Sequence, residues 1–222
     1  QEGVYFRVNK INDYGVLSKQ KQDKLETAVR VDLDQQKEHT SDFSIWKKTN
    51  DGLHFDSPWG AGRPGWHTEC AVMNHEIFNG MIDIHGGGSD LKFPHHENER
   101  AHAQAHDHHG LSKYWMHNGR LDLQSEKMSK SLGNIILVKD LNKHDLGAFR
   151  MLMLAHHYRQ PINYSQQLFD EYLKIYQNMN KKLKMTTLEL MLAHVKTSEI
   201  DSDIQDKTLT ILEKDFDTPN VI

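Results

Sequence analysis

The chain has 222 residues, of which 37 % are hydrophobic and 26 % are charged. This is the balance of a globular protein and excludes a disordered chain. No apolar run reaches the length of about 18 residues that a membrane span needs. The net charge of −4 argues against a dedicated DNA-binding domain, although a local basic face could still contact RNA. The single cysteine, Cys70, cannot form an internal disulfide, so we expect a reducing, cytoplasmic location.

Residues 1–56 are predicted to form small, irregular α/β structure. Residues 4–8 alternate between apolar and polar side chains, as in a strand. Residues 32–42 are polar and are predicted to form a loop, and residues 44–47 begin another short element.

Residues 57–125 are rich in glycine, proline and histidine. Residues 57–66 contain two prolines and three glycines, which predicts a loop. A helix is expected over residues 67–78, followed by a short strand over residues 81–84. Because proline suits the first turn of a helix, a second helix is expected from Pro94 to about His109.

The next segment contains a turn signal and then becomes helical. Asn118-Gly119 lies between two strand-like runs, residues 114–116 and 121–123, which predicts a β-hairpin. Asp145 is a candidate cap for a helix that extends to His157. After a loop, apolar residues at spacings of three and four predict an amphipathic helix: Leu168, Tyr172, Tyr176, Met179 and Leu183.

A basic loop is the first motif with clear chemical meaning. Lys127-Met128-Ser129-Lys130-Ser131 places two lysines and two hydroxyl groups within five residues. Such a loop can bind a polyphosphate, because attack on an α-phosphate builds negative charge on the departing pyrophosphate. Taken alone, the same pentapeptide is more often a solvated surface loop.

A candidate metal site combines Cys70, His95 and Glu99. His95 and Glu99 are four residues apart, so they share one face of a helix. Thiolate, imidazole and carboxylate groups are all ligands of zinc. The alternatives are a buried core cysteine and a solvated histidine-rich helix. Because His102 and His106 lie on the same stripe, helical spacing alone does not select the ligands.

A glycine run ends the predicted strand at residues 81–84. His85 is followed by Gly86, Gly87 and Gly88, and Asp90 lies two residues further on. Ligands of open α/β sheets bind beyond the carboxyl ends of the strands, and glycine lets the backbone approach a nucleotide closely. A glycine run is by itself a weak signal that usually marks a turn.

These motifs together resemble the class I cysteinyl-tRNA synthetase family. Residues 62–70 (GRPGWHTEC) and 83–99 (DIHGGGSDLKFPHHENE) match its signatures, and residues 127–134 match the class I signature loop. Residues 4–15 resemble the connective insertion of the family, and residues 149–165 resemble the start of its helical domain. The resemblance therefore covers nearly the whole chain.

The resemblance implies an α/β fold, namely the second half of a class I Rossmann-like catalytic domain with an inserted subdomain, followed by the start of an α-helical bundle. It assigns residues 1–56 to the end of the connective insertion and residues 57–125 to the catalytic half. It assigns residues 126–165 to the signature loop and stem-contact region. Residues 166–222 would begin a truncated, helical tRNA-binding domain.

The resemblance also implies a ligase that joins L-cysteine to ATP, with Mg²⁺, and transfers the cysteinyl group to tRNA(Cys), without DNA or membrane partners. It selects Cys70, His95 and Glu99 as ligands of one Zn²⁺ per subunit, with His96 as the main competitor. It assigns catalysis to Lys127 and Lys130 and the amino-acid pocket to Trp66 and His85. The nucleotide-binding residues it implies are His85, Gly86, Gly87, Gly88, Asp90, Met128 and Lys130.

Two signatures of the family do not occur in the chain. One is the early His-Ile-Gly-His type sequence, and the other is an early zinc-binding cysteine. We therefore expect the sequence to be a fragment that is inactive alone and lacks the first catalytic half and the C-terminal end. Two alternatives stay open: a cysteine ligase acting on an amino-sugar, and a non-catalytic zinc-binding or RNA-binding module.

Overall fold

A computed structural model describes residues 3–20, 37–123, 126–127, 137–142, 145–193 and 201–221. The chain divides into two compact units, residues 1–117 and residues 118–222. None of the helices in the described part of the chain is both long enough and apolar enough to cross a membrane.

The first unit begins with an antiparallel sheet and continues with alternating strands and helices. Its elements are β1 (Gly3–Phe6), β2 (Phe43–Lys48), β3 (Gly62–Pro64), α1 (Trp66–Phe78), β4 (Ile82–Gly88), α2 (Glu97–Asp107) and β5 (Ser112–Asn118). The sheet order is β1-β2-β3. A π-helical turn over Lys92–His96 leads directly into α2.

A small core lies beneath this sheet. Val8, Tyr14, Phe43 and Ala101 are buried together, and the Phe6 ring stacks on Phe43 at 4.8 Å. Residues from the start of the chain therefore pack on α2, the helix that also carries Glu99. Strand β1 ends earlier than the predicted strand over residues 4–8, because the chain enters a 3₁₀ turn there.

The predicted helices and the strand between them are present. Helix α1 begins one residue before the predicted start and ends at Phe78, as predicted, and Asn79 with a φ of 49° forms a left-handed C-cap. Strands β4 and β5 form a two-stranded sheet with α2 in the connection. They run parallel, because Ile82 N–H donates to Leu111 O near one end and Gly86 lies against Met116 O near the other.

The second unit is mainly helical with a small sheet. Its elements are β6 (Leu121–Leu123), β7 (Glu126–Lys127), α3 (Leu146–Leu154), β8 (Ile162–Tyr164), α4 (Gln166–Leu192) and α5 (Ser202–Leu212). The sheet order is β7-β6-β8, in which β6 pairs antiparallel with β7 and parallel with β8. Its core is formed by Ala148, Leu152, Tyr164 and Phe169.

The predicted hairpin at Asn118-Gly119 is wrong, because the two flanking strands belong to different sheets. Gly119 N–H donates to Tyr158 O at 2.7 Å, which draws the backbone towards the segment before β8. A Cβ on Gly119 would lie 2.1 Å from Gln160 O, so glycine is required here by a close backbone approach and not by a turn.

The predicted helix at Asp145 is shorter than expected. Asp145 occupies the N-cap position of α3, but its side chain makes no capping hydrogen bond. The helix ends at Leu154, well before His157, because Leu152 O accepts from the His156 ring at 2.8 Å instead of extending the helical ladder. By contrast, Ser165 Oγ caps α4 by accepting from Leu168 N–H at 3.1 Å.

The predicted stripe on α4 is buried only at its N-terminal end. Leu168, Tyr172 and Tyr176 pack against the core of the second unit. Met179 and Leu183 are exposed. A bidentate ion pair also ties this unit together: Arg159 donates to both carboxylate oxygens of Asp215, at 2.6 and 2.9 Å.

Candidate functional site

Thiol, imidazole and carboxylate groups converge at the carboxyl end of β4. Cys70 Sγ lies 3.6 Å from His95 Nε2, which in turn lies 2.7 Å from Glu99 Oε1. The second carboxylate oxygen, Glu99 Oε2, lies 2.7 Å from His85 Nε2. Ligand atoms of Cys70, His95 and Glu99 all lie within 4.8 Å of one another, and those of His85, His96 and Glu99 form an overlapping group.

Three elements bring these residues together. Cys70 lies in the first half of α1, and His85 is the middle residue of β4. His95 belongs to the π-helical turn, and Glu99 follows four residues later in the first turn of α2, so both project from one face. His95 and Glu99 are 5 % and 1 % exposed, so a carboxylate stands in an almost dry setting.

The carboxylate of this cluster is ionised at neutral pH. Burial raises the pKa of Glu99, but the proximity of the His85, His95 and His96 rings outweighs burial and lowers the pKa below its ordinary value. Burial, together with the Glu99 charge, raises the pKa of Cys70 to about 11. Without a cation, Cys70 is therefore a neutral thiol, and a cation that bound it as a thiolate would reverse that shift.

Four of the histidines around the cluster have a lowered pKa. Burial lowers the pKa of His67, His96 and His102 to about 4, and burial also lowers the pKa of His95. A neutral imidazole keeps one ring nitrogen free to accept a proton or bind a metal. At neutral pH the site therefore contains several imidazole nitrogens that can act as metal ligands.

Helical spacing alone does not select a ligand among His95, His102 and His106, but the packing of their side chains does. His102 is taken by the core, where its ring lies 5.3 Å from Phe43 and its Nε2 lies 3.2 Å from Thr68 Oγ1. His106 lies near the end of α2, next to Asp107. Only His95 of these three histidines approaches Cys70 and Glu99. His96, the competitor, turns to His117, with Nδ1 and Nε2 2.9 Å apart.

Trp66 forms an open wall of the cluster. Its ring centroid lies 3.9 Å from that of His95, and the side chain is 58 % exposed. His67 approaches the other ring nitrogen of His95, with the two Nδ1 atoms 2.9 Å apart. One indole face is thus in contact with a candidate ligand while the residue stays accessible to a small molecule.

Sequence reasoning missed two residues of β5. Trp115 lies 4.9 Å from His85 and 5.4 Å from His96, ring centroid to ring centroid. His117 is buried and adjoins His96. Because Trp115 and His117 are two residues apart in a strand, they share a face. The strand-like run over residues 114–116 predicts a strand, but it contains no signal that points to the site.

The glycine run lies beside the cluster. A Cβ on Gly87 would lie 2.9 Å from His96 Cε1, and one on Gly88 would lie 2.5 Å from Asp90 Oδ1. Gly86 and Asp90 are exposed. The backbone therefore runs close to the histidines, and an accessible edge remains at the end of β4. This edge has the position at which open α/β sheets bind ligands.

The signature loop lies mostly outside the described residues. Met128 and Lys130 belong to the part of the chain that is not described, as do Ser129 and Ser131. The backbone of Lys127 forms β7, paired with Asp122 of β6. The assignments to these lysines and to Met128 stay predictions.

Comparison with known proteins identifies the fold first. The structure is similar to LeuRS of Agrobacterium radiobacter K84, in its ternary complex with tRNA and LeuAMS, with a TM-score of 0.53 and 16 % sequence identity. The match covers 75 % of this chain and 27 % of that one. At this identity the likeness shows a shared fold alone, a mixed α/β synthetase-type architecture.

Comparison of sequences then identifies the family. The family model described as "tRNA synthetases class I (C) catalytic domain" matches residues 1–174. The chain therefore belongs to the catalytic-domain family of class I (C) tRNA synthetases, as the signatures predicted.

Curated relatives named cysteine–tRNA ligase match along the whole chain. The relative from Acholeplasma laidlawii is 53 % identical over 224 residues, covering 100 % of this chain and 51 % of that protein. The relative from Clostridioides difficile is 42 % identical over 229 residues, covering 99 % and 49 %. The chain thus spans about half the length of these relatives.

Proposed function

We propose that the full-length protein is a cysteine–tRNA ligase, which activates L-cysteine with ATP and Mg²⁺ to cysteinyl-adenylate and transfers the cysteinyl group to tRNA(Cys). The observation that carries the proposal is the convergence of Cys70, His95 and Glu99 beside an exposed Trp66. Family membership and the names of the relatives support the same reaction.

Selecting cysteine over serine explains why such a cluster is useful. The two amino acids differ only by sulfur against oxygen, and an apolar pocket discriminates such small differences by only about 10- to 200-fold. The donor set fits zinc, because Cys70, His95 and Glu99 supply the sulfur, nitrogen and oxygen ligands that zinc accepts. A bound Zn²⁺ would supply a position that takes a thiolate in preference to a neutral hydroxyl.

The residues around these ligands would orient them. His85 Nε2 lies 2.7 Å from Glu99 Oε2 and His95 Nε2 lies 2.7 Å from Oε1, so the two histidines would hold the carboxylate from both sides. The buried setting of Glu99 keeps competing water away from the carboxylate. Trp66 would cover the side chain of the bound cysteine, and His85 would line the same pocket.

The nucleotide would occupy the edge at the end of β4. His85, Asp90 and the glycines between them would contact the adenylate, because they form the carboxyl-terminal half of β4 and the turn that follows it, where Gly86 and Asp90 are exposed. Lys127 and Lys130, with Met128, would bind the phosphates of ATP and neutralise the charge that develops as pyrophosphate leaves.

The chain would divide into four segments, the last of which would serve tRNA binding. We assign residues 1–56 to a connective insertion, 57–125 to the catalytic half, 126–165 to the signature loop and stem-contact region, and 166–222 to the start of a helical tRNA-binding domain. The second half of α4 has exposed apolar side chains, which would pack against other helices in such a domain. The cytoplasm, which holds the tRNA and ATP, is the expected compartment.

The test is steady-state aminoacylation by the full-length protein. Cys70→Ser and His95→Ala should raise the KM for cysteine by about 100-fold or more, since each removes a ligand of the proposed zinc. Serine should stay a poor substrate in both variants. His54→Ala, which removes an exposed histidine of the same unit, is the control. Unchanged KM values would overturn the role of the cluster, and transfer of cysteine to an amino-sugar but not to tRNA would overturn the proposed reaction.

A further inference from the structure

A second group of metal-ligand atoms lies in the first unit, outside the site described above. His75 near the end of α1 and His106 and Asp107 at the end of α2 place their ligand atoms within 4.8 Å of one another. His75 Nδ1 lies 3.0 Å from Asp107 Oδ1, and His106 Nδ1 lies 2.7 Å from the same oxygen. The two imidazole rings meet edge to face at 4.9 Å.

This group shares no residue with the first cluster. Five residues separate Cys70 from His75 on α1, a helical rise of about 7.5 Å. Seven residues separate Glu99 from His106 on α2, a rise of about 10 Å. Helices α1 and α2 therefore each contribute to both groups, at separate points along their lengths.

One buried nitrogen in the group lacks a partner. Within the described part of the chain, His75 Nδ1 is shielded from solvent yet forms no hydrogen bond, although it lies 3.0 Å from Asp107 Oδ1. The hydrogen bond of that oxygen is made with His106 instead. Because a buried ring nitrogen without a partner is costly, the arrangement suits a cation that both atoms would bind.

The carboxylate has the charge such a cation needs. Asp107 offers one carboxylate oxygen to both imidazoles, 3.0 Å from His75 Nδ1 and 2.7 Å from His106 Nδ1. The group also borders a cavity of about 310 Å³ whose lining includes His75, His106 and Asp107. A metal could therefore reach the three ligands from solvent and keep water in its remaining positions.

We propose that His75, His106 and Asp107 form a second divalent transition-metal site that joins the ends of α1 and α2. Two imidazoles and one carboxylate suit zinc and its neighbours, cobalt and nickel. They do not suit Mg²⁺ or Ca²⁺, which require a shell of oxygen ligands. A cation here would tie together the two helices that carry Cys70 and Glu99, so its role would be to stabilise the scaffold of the first cluster.

Cobalt titration of the 222-residue chain tests the proposal, because Co²⁺ reports its ligands by absorption. Cobalt at Cys70 gives a sulfur-to-metal charge-transfer band in the near ultraviolet, whereas cobalt at the second site gives only visible ligand-field bands. His106→Ala should lose one equivalent of bound cobalt, or bind it about 100-fold more weakly, while the charge-transfer band stays. The His106 side chain is 74 % exposed, so the substitution should leave the fold intact.

Two further variants keep the result interpretable. Asp107→Asn should reproduce the loss, because it keeps the shape of the side chain and removes the charge. His54→Ala removes an exposed histidine elsewhere in the first unit and should bind as the unaltered chain does. Equal stoichiometry and affinity in His106→Ala and His54→Ala would overturn the proposal. Loss of the charge-transfer band in His106→Ala would also overturn it, because the two sites would then not be distinct.

Discussion

Replacing Glu99 by glutamine should separate the metal-binding role of this residue from its structural role. Glu99 is 1 % exposed, and its two oxygens each lie 2.7 Å from a histidine nitrogen, of His95 and of His85. Glutamine keeps the volume and one acceptor while removing a buried charge. The lost acceptor destabilises the folded protein, whereas removal of the buried charge stabilises it. In the presence of a chelator, where no zinc is bound, we therefore expect the unfolding free energy to change by no more than about 1 kcal/mol.

With zinc the same substitution should have a large effect. Zinc at 100 times its Kd stabilises a one-site protein by about 2.7 kcal/mol. Loss of a charged ligand that weakens zinc by about 100-fold would reduce that gain to about 0.4 kcal/mol at the same zinc concentration. The predicted loss of zinc-dependent stability is therefore about 2.3 kcal/mol.

Denaturant unfolding followed by tryptophan fluorescence measures this loss. All four tryptophans lie in the first unit, so the signal reports the unit that holds the cluster. The experiment uses a His106→Ala background, which removes the second proposed site. Glu69→Gln is the matched control, because Glu69 is an exposed carboxylate next to Cys70 in sequence. If Glu99→Gln retains the full zinc-dependent gain of the control, Glu99 is not a ligand.

Three further predictions concern the second unit and the signature loop. Gly119→Ala should lower the unfolding free energy by at least about 2 kcal/mol in urea denaturation followed by circular dichroism, because the new Cβ would lie 2.1 Å from Gln160 O. The hydrogen bond from Arg159 lowers the pKa of Asp215 from 3.8 to about 2, so its stabilisation is present above the ordinary pKa and is lost as the pH falls through about 2. The stability difference between the unaltered chain and Asp215→Asn should accordingly stay below about 1 kcal/mol at neutral pH, because the pair is exposed, and should vanish near pH 2. In the full-length protein, Lys130→Ala should slow pyrophosphate exchange by about 100-fold or more without changing the KM for cysteine, and a raised KM with a normal rate would contradict its role.

Local pattern was enough to predict the elements that carry the candidate ligands. Helix α1 follows a segment rich in glycine and proline, and α2 follows Pro94, so both helices were expected close to where they occur. The prediction that residues 57–66 are all loop is wrong, because Gly62–Pro64 form β3 and pair with β2. The strand predicted over residues 81–84 is also present, but it continues through the glycine run to Gly88, four residues beyond the predicted end. These signals depend on residues that are close in sequence, so they predict local structure without knowledge of the contacts between distant segments.

Contacts between distant segments were not predictable in the same way. Asn118-Gly119 does mark a position that requires glycine. The reason is not a hairpin turn but the close approach of the Gln160 backbone, some forty residues later. Likewise, helical spacing did not distinguish His95 from His102 as a candidate ligand. Their separation comes from Phe43 of β2, which takes His102 into the core. Only the resemblance to a known family anticipated that choice.

We propose that Cys70, His95 and Glu99 hold a zinc ion that recognises the sulfur of the substrate. The zinc–sulfur coordination number tests this directly. X-ray absorption at the zinc edge should be recorded on the full-length protein with one equivalent of zinc, in a His106→Ala background so that one site contributes. Addition of L-cysteine should increase the zinc–sulfur coordination number by one, whereas L-serine should leave it unchanged. An unchanged sulfur count with bound cysteine would mean that the ion is structural and would contradict the proposed basis of selectivity.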